Sequence, residues 1–305
     1  MNSLWKQDAK QYWEAGMSQR QIAKTLNVPR STVGDYIRSI GCVPYDSAPD
    51  VEGPKILFID IETSPILAQV WRLFDQNVGL NQIDVDWSIL SFCAKWKGTD
   101  DIIYMDTRNQ PDVNDDSCLL DALWRLLNEA DFVVGQNSKR FDVKKINARF
   151  ILNGMPKPST FRQIDTLEIA KRQFSFTSNK LEYMTDKLCV EFKKLKHGKF
   201  PGHVLWAECL KGNMEAWHEM EDYNRHDVLS LEELYDILSS WDDKLPNFDV
   251  YVDKILDMTE WEKDGFHYTN LGKYQKYRHT LTGVQRRSRV NLLDKVKRDS
   301  LLRTI

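Results

Sequence analysis

The sequence has no CxxC pair and no cysteines at metal-ligand spacing. Its five cysteines, at 42, 93, 118, 189 and 209, stand apart. This argues against a disulfide framework and a cysteine zinc site, and fits free thiols in a reducing compartment. There is no apolar run of membrane-spanning length, and the N-terminal stretch lacks a signal-peptide pattern. The expectation is therefore a soluble, intracellular, cytoplasmic protein with no membrane partner. A large net charge is also missing, since the total is only -3. That small value conceals a strong asymmetry. Residues 1–45 hold six Lys and Arg against three acids, and residues 271–305 hold ten against two, which leaves -14 for the middle. Basic ends around an acidic centre suit a nucleic-acid binder whose centre holds cations; solvated charged faces are the plainer alternative. At 305 residues, 42% of them hydrophobic and ten of them Trp, the chain suits one medium domain with appendages or two small domains with a sizeable core.

The stretch that organises the rest is Lys55-Ile56-Leu57-Phe58-Ile59-Asp60-Ile61-Glu62-Thr63. A short apolar run after Pro54 predicts a buried strand. Alternate side chains on a strand share a face, so Asp60 and Glu62 point the same way. Adjacent carboxylates repel, and a divalent cation relieves that penalty. A strand running out into solvated acids is the other reading of this stretch alone.

Ahead of it, residues 4–15 have helical spacing and stop at Gly16. Ser18 with Gln21 reads as a capping box for a short helix carrying Ile22, Ala23 and Leu26. Asn27-Val28-Pro29 breaks it, and a third helix opens at Arg30 or Ser31 with Val33, Tyr36 and Ile37. Two helices, a short turn and a small Ala at the crossing follow the helix-turn-helix plan. A three-helix protein-contact module is the alternative. In a DNA reader, Arg30, Ser31, Thr32 and Asp35 would start the recognition helix and Arg38 would meet phosphate. Residues 45–54 close a Pro- and Asp-rich linker.

Beyond the central strand, residues 66–86 form a long connection. Strands are predicted over Ile89–Trp96 and Ile102–Met105, completing an antiparallel meander. An amphipathic helix follows over 117–129, a strand over Phe132–Gly135 and a helix over 141–153. A short strand at 164–166 and helices near 166–173, 179–189 and 214–240 complete the region. This order indicates an α/β or α+β domain with a mixed sheet. Three further acids fall at informative places. Asp142, in Asn137-Ser138-Lys139-Arg140-Phe141-Asp142, sits at a strand-to-helix turn, where sheet-based sites collect their residues. Tyr223 and Asp227 are four apart on a helix and share a face. Asp165 reads as the N-cap of the helix from Thr166.

The ordered set Asp60-x-Glu62, Asn137-x3-Phe141-Asp142, Tyr223-x3-Asp227 resembles the DEDD 3'-5' exonuclease superfamily in its Tyr-containing, DEDDy branch, over about residues 55–240. The stretches Asp75–Ile83 and Ser178–Leu181 resemble a phage-type group within it. Gln136 stands where His is frequent, and Lys144-Lys145 replaces an often apolar pair; neither departure removes an acid. The resemblance implies a ribonuclease H-like fold and 3'-5' exonuclease activity releasing nucleoside 5'-monophosphates. It implies two divalent ions, Mg2+ or Mn2+, roughly 4 Å apart. They would be held by Asp60, Glu62, Asp142 and Asp227, hard oxygen ligands that suit such ions. Tyr223 would orient the attacking water. Asn137 and Phe141 would shape the groove for the terminal nucleotide, unless they are a turn cap and a core aromatic. A phage-type protein would act in a host cytoplasm.

Residues 18–33 resemble resolvase- and transposase-type helix-turn-helix families, which places an all-α module at 1–44. Residues 241–305 form a basic C-terminal extension in which Lys273, Lys276, Arg286 and Arg287 interleave with Tyr268, Tyr274 and Tyr277, a composition suited to phosphate contact and base stacking. Residues 265–283 resemble the later part of transposase-type zinc ribbons without their cysteines, so no zinc is expected. Nucleic acid, with DNA favoured, is the expected partner. A DNA-binding regulator with a vestigial nuclease site and a structure-selective endonuclease are the competing functions.

Overall fold

The computed structural model describes residues 4–14, 19–29, 32–33, 36, 53–192, 198–253 and 255–302. Its centre is a five-stranded sheet in the order β5-β4-β1-β6-β7. The strands are β1 Ile56–Thr63, β4 Ile89–Trp96, β5 Ile102–Asp106, β6 Phe132–Gly135 and β7 Arg162–Asp165. β1, β4 and β5 form the antiparallel meander the sequence predicts, while β6 and β7 run parallel to β1. The sheet is therefore mixed, as expected. β4 and most of β1 are buried because helices cover both faces of the sheet.

One face is closed by α3 (Ser117–Glu129) and α4 (Asp142–Leu152), whose Leu119, Leu123, Leu126, Val143, Ile146 and Phe150 pack on Leu57, Ile59 and Ile61. The opposite face is closed by α5 (Thr166–Gln173), α6 (Leu181–Leu188) and the 26-residue α8 (Met214–Ser239). There Val228, Leu231, Leu234 and Leu238 pack on Phe58 and Phe132. A third cluster joins α7 (Val204–Leu210) to the first half of α8 through Leu90, Leu205, Cys209, Trp217 and Met220. The sequence reading contains no helix at 204–210, since seven residues are too short to display a period.

In the N-terminal part, α1 (Leu4–Glu14) and α2 (Gln19–Leu26) enclose a small core of Ala9, Trp13, Ile22 and Val33, with Trp5 edge-on to Tyr36. The start of the third helix, with Arg30, Ser31, Asp35 and Arg38, lies outside the described residues, as does nearly all of the 45–54 linker; Thr32 is exposed. The 66–86 connection contains a small ladder of β2 (Leu67–Ala68) with β3 (Ile83–Val85). The C-terminal segment is an antiparallel sheet of β8 (Trp261–Thr269), β9 (Gly272–His279) and β10 (Gln285–Arg287), followed by α9 (Lys295–Asp299). No helix among the described residues is long and apolar enough to cross a membrane.

Candidate active site

Asp60 and Glu62 occupy the end of the central strand. Asp60 pairs with Cys93 and Glu62 with Ser91 across the β1–β4 ladder, and the register slips just after Glu62. That bulge turns the strand end out of regular pairing. On this face α8 crosses β1, and its middle presents Asp227. Oxygens of Asp60, Glu62 and Asp227 all lie within 4.8 Å of one another. Three carboxylates this close form a hard-oxygen donor set, and the charge they concentrate is what a divalent cation neutralises. The residues therefore fit such an ion.

The surrounding groups hold these acids in place. Asn224, fully buried one turn before Asp227, donates through Nδ2 to Asp60 Oδ2 at 2.6 Å. Its own Oδ1 accepts from the Ser91 hydroxyl at 3.3 Å. The indole Nε1 of Trp206, on α7, donates to Glu62 Oε2 at 3.1 Å. The same indole lies edge-on to Tyr223, with ring centres 6.3 Å apart. Asn224 and Trp206 are site residues that sequence reasoning missed. Asn224 was within view, four residues before a core position of α8 and next to Tyr223. Trp206 is 144 residues from Glu62, and no sequence pattern signals the pair. Behind the site, burial and the Asp60 carboxylate push the Cys93 thiol well up, so it stays protonated.

Asp142 sits beside this trio and is not one of the close set. It opens α4, and its Oδ1 accepts from the Ile61 amide at 3.1 Å. β6 pairs with β1 only as far as Phe58, so Asp142 takes a strand amide that lies past the end of that ladder. Burial is the main reason its carboxyl is pushed up to about 7; the Ile61 amide acts in the opposite direction. The turn into α4 is tight. A Cβ on Gly135 would lie 2.4 Å from Ser138 Cβ and 3.3 Å from the Ile59 carbonyl, so no larger residue fits there. Asn137 adopts φ 63, and its carbonyl accepts from the Arg140 and Phe141 amides at 3.1 Å each. Asp165 is the N-cap expected from the sequence, accepting from Leu167, and it also accepts from the Asn137 and Lys139 amides. Asn137 is thus part of the turn. Phe141 is 38% exposed rather than a core aromatic, with the Lys145 ammonium 5.6 Å from its ring centre and 3.6 Å from that of Trp87. Gln136 ties this turn to the next segment, donating to the Asn179 carbonyl and accepting from Thr166.

The C-terminal basic residues are far from idle. Arg286 pairs with Asp249, and Arg287 lies 4.2 Å from the Tyr274 ring centre. Lys273 stands 4.0 Å from the Phe266 ring centre, and Lys276 is 3.5 Å from Asp264.

The family model of the RNase H superfamily matches residues 77–239, over half of the chain. The chain belongs to the RNase H superfamily. The match begins after β1, so Asp60 and Glu62 lie just ahead of it. No curated protein sequence matches the chain. Among solved structures, the chain is similar to the family B DNA polymerase from the hyperthermophilic archaeon Pyrobaculum calidifontis, at 13% identity and a TM-score of 0.44. That similarity covers 66% of this chain and 27% of the polymerase.

Proposed function

We propose that the chain is a metal-dependent 3'-5' exonuclease of nucleic acid, with DNA favoured, that releases nucleoside 5'-monophosphates. The observation that carries this reading is the convergence of Asp60, Glu62 and Asp227 at the end of the central strand of an RNase H superfamily fold. The 3'-5' direction is supported by the ordered acids and by Tyr223 one turn before Asp227, the pattern that resembles the DEDDy branch. Asp60, Glu62 and Asp227, with Asp142 beside them, would hold two divalent ions, Mg2+ or Mn2+. Such ions neutralise charge developing on the phosphoryl oxygens and favour a water nucleophile at neutral pH. Asn224 would fix the Asp60 carboxylate and Trp206 that of Glu62. A free phenol titrates at ~10, so a Tyr at position 223 is suited to orienting a water by hydrogen bonding, not to removing its proton. The N-terminal helices, read as residues 1–44, would hold duplex through Arg30, Ser31, Thr32 and Arg38. The C-terminal extension would add Lys273, Lys276, Arg286 and Arg287 to the grip.

The direct test follows the products from end-labelled DNA and RNA strands, with Mg2+, Mn2+ or EDTA. Stepwise release of 5'-mononucleotides from the 3' end is expected, only with metal. Binding without cleavage would instead favour a helix-turn-helix regulator, and internal cuts an endonuclease.

Two substitutions separate the roles. Tyr223→Phe loses a hydroxyl and no acid, so the rate should fall about 10- to 100-fold, the range for outer partners of a metal site. Calorimetric titration should find Mn2+ affinity close to wild type; a large loss there would refute the assignment. Trp206→Phe keeps the aromatic edge against Tyr223 and removes the N–H that reaches Glu62. Mn2+ affinity should then fall about 10-fold or more, and an unchanged titration would show that the indole does not position Glu62.

A further inference from the structure

The β8–β9 hairpin has two unlike faces. Phe266 opposes Gln275, Tyr268 opposes Lys273 and Lys263 opposes Tyr277. Opposed residues of an antiparallel ladder share a face, as do residues two apart on one strand. Phe266, Tyr268, Lys273 and Lys263 therefore lie on one side. The acids of β8 belong to the other side. Glu262 opposes Arg278, and the Asp264 carboxylate meets Arg278 at 3.1 Å and Lys276 at 3.5 Å. At the far end of the Phe266 face, Arg286 stands over Trp261 and is paired with Asp249, and His279 meets Glu260 at 3.1 Å. At the turn end, Phe266 and Tyr268 remain 43% and 66% exposed, with ring centres 6.4 Å apart. The Lys273 ammonium lies 4.0 Å from one ring centre and 5.9 Å from the other.

We propose that Phe266, Tyr268 and Lys273 form a binding face for single-stranded nucleic acid, apart from the acidic site. This deepens the nuclease reading and rests on it for the class of ligand. Neighbouring exposed rings offer flat surfaces on which unpaired bases stack, whatever their sequence. An ammonium held between the rings supplies the cation that a strand's phosphates need beside its bases. Charge selects the same occupant: the face has no strand acid, and residues 271–305 carry ten basic against two acidic residues. A duplex does not fit this arrangement, because its bases are already stacked on each other and the rings of a sheet face cannot reach their planes.

The test uses the full chain in EDTA, so that nothing is cleaved, with fluorescence anisotropy of a labelled oligothymidylate strand and of a labelled duplex. F266A/Y268A should lower strand affinity by about tenfold per ring and leave duplex affinity unchanged. F266L/Y268L keeps apolar bulk without a ring face and should bind the strand as weakly as the alanine variant. Lys273→Ala should lower the slope of log affinity against log salt by about 0.7. Wild-type strand affinity in F266A/Y268A overturns the proposal. Wild-type affinity in the leucine variant overturns it as a stacking site, and equal losses for strand and duplex overturn its preference for unpaired bases. Hydrolysis of the nitrophenyl ester of thymidine 5'-monophosphate by the wild type with Mn2+ reports on the acidic site alone. Failure of the wild type to hydrolyse it counts against the nuclease reading, whereas unchanged strand binding counts against the face.

Discussion

Asp60→Ala should abolish phosphodiester hydrolysis in a protein that remains folded. Asp60 is the acid on which the local contacts centre. It lies within the close trio with Glu62 and Asp227, and its Oδ2 takes the Asn224 amide at 2.6 Å. Removing it withdraws one of three donors, so the loss should exceed about 100-fold, the upper end for outer partners alone. Two effects on stability oppose each other. The substitution relieves repulsion among crowded carboxylates. It also leaves the buried Asn224 amide with only the Asp60 carbonyl, at 3.5 Å, a loss worth roughly 1–3 kcal/mol. The sum should leave the fold intact. Turnover of a labelled strand, measured beside the far-ultraviolet circular dichroism of the same sample, checks both halves. Wild-type turnover by folded Asp60→Ala protein would remove Asp60 from the site.

The largest expected effect on stability is at Trp217. It is 1% exposed and packs with Leu90, Leu205, Cys209 and Met220 where α7 meets α8. Arg108, bound to Asp106 and to Glu221 at 2.7 Å, stands 5.9 Å from its ring centre. Trp217→Ala leaves a cavity walled by side chains from three elements that cannot all close on it. The cost should be about 3–5 kcal/mol. α7 also carries Trp206, so loosening its seat should weaken Mn2+ binding, although no acid is altered. Urea unfolding gives the stability change, and a value below about 1 kcal/mol would show that the site relaxes around the missing ring.

Much of the fold was legible because its apolar periods are strong. β4, α3, β6 and α5 fall at the residues their patterns indicate, and β1, β4 and β5 form the expected meander. The acids at 60, 62 and 227 were legible because two positions on a strand, and one turn of a helix, fix which side chains share a face. The sequence does not show how closely elements far apart in the chain approach. Asp142 was placed with the other acids by its strand-to-helix turn and by the ordered motif; that its Oδ1 meets the Ile61 amide was not visible. Trp206 comes to Glu62 only through the placement of α7 against β1, which no sequence pattern signals. The C-terminal sheet escaped for another reason. β8 alternates charged, aromatic and small residues with no buried stripe, and its order comes from cross-strand partners that composition does not reveal.

α8 is one unbroken helix of 26 residues, and the groups of the site occupy its middle. Tyr223, Asn224 and Asp227 lie between a turn anchored by Trp217 and Met220 and a longer run anchored by Val228, Leu231, Leu234 and Leu238. Neither end can fray far enough to release the middle. Amide hydrogens around Asn224 should therefore exchange with solvent only when the whole domain opens. The acid that α8 supplies is as permanent as the fold itself. On the proposed function, any movement that admits a strand would come instead from the short α7, which packs on the first half of α8 and carries the indole that holds Glu62.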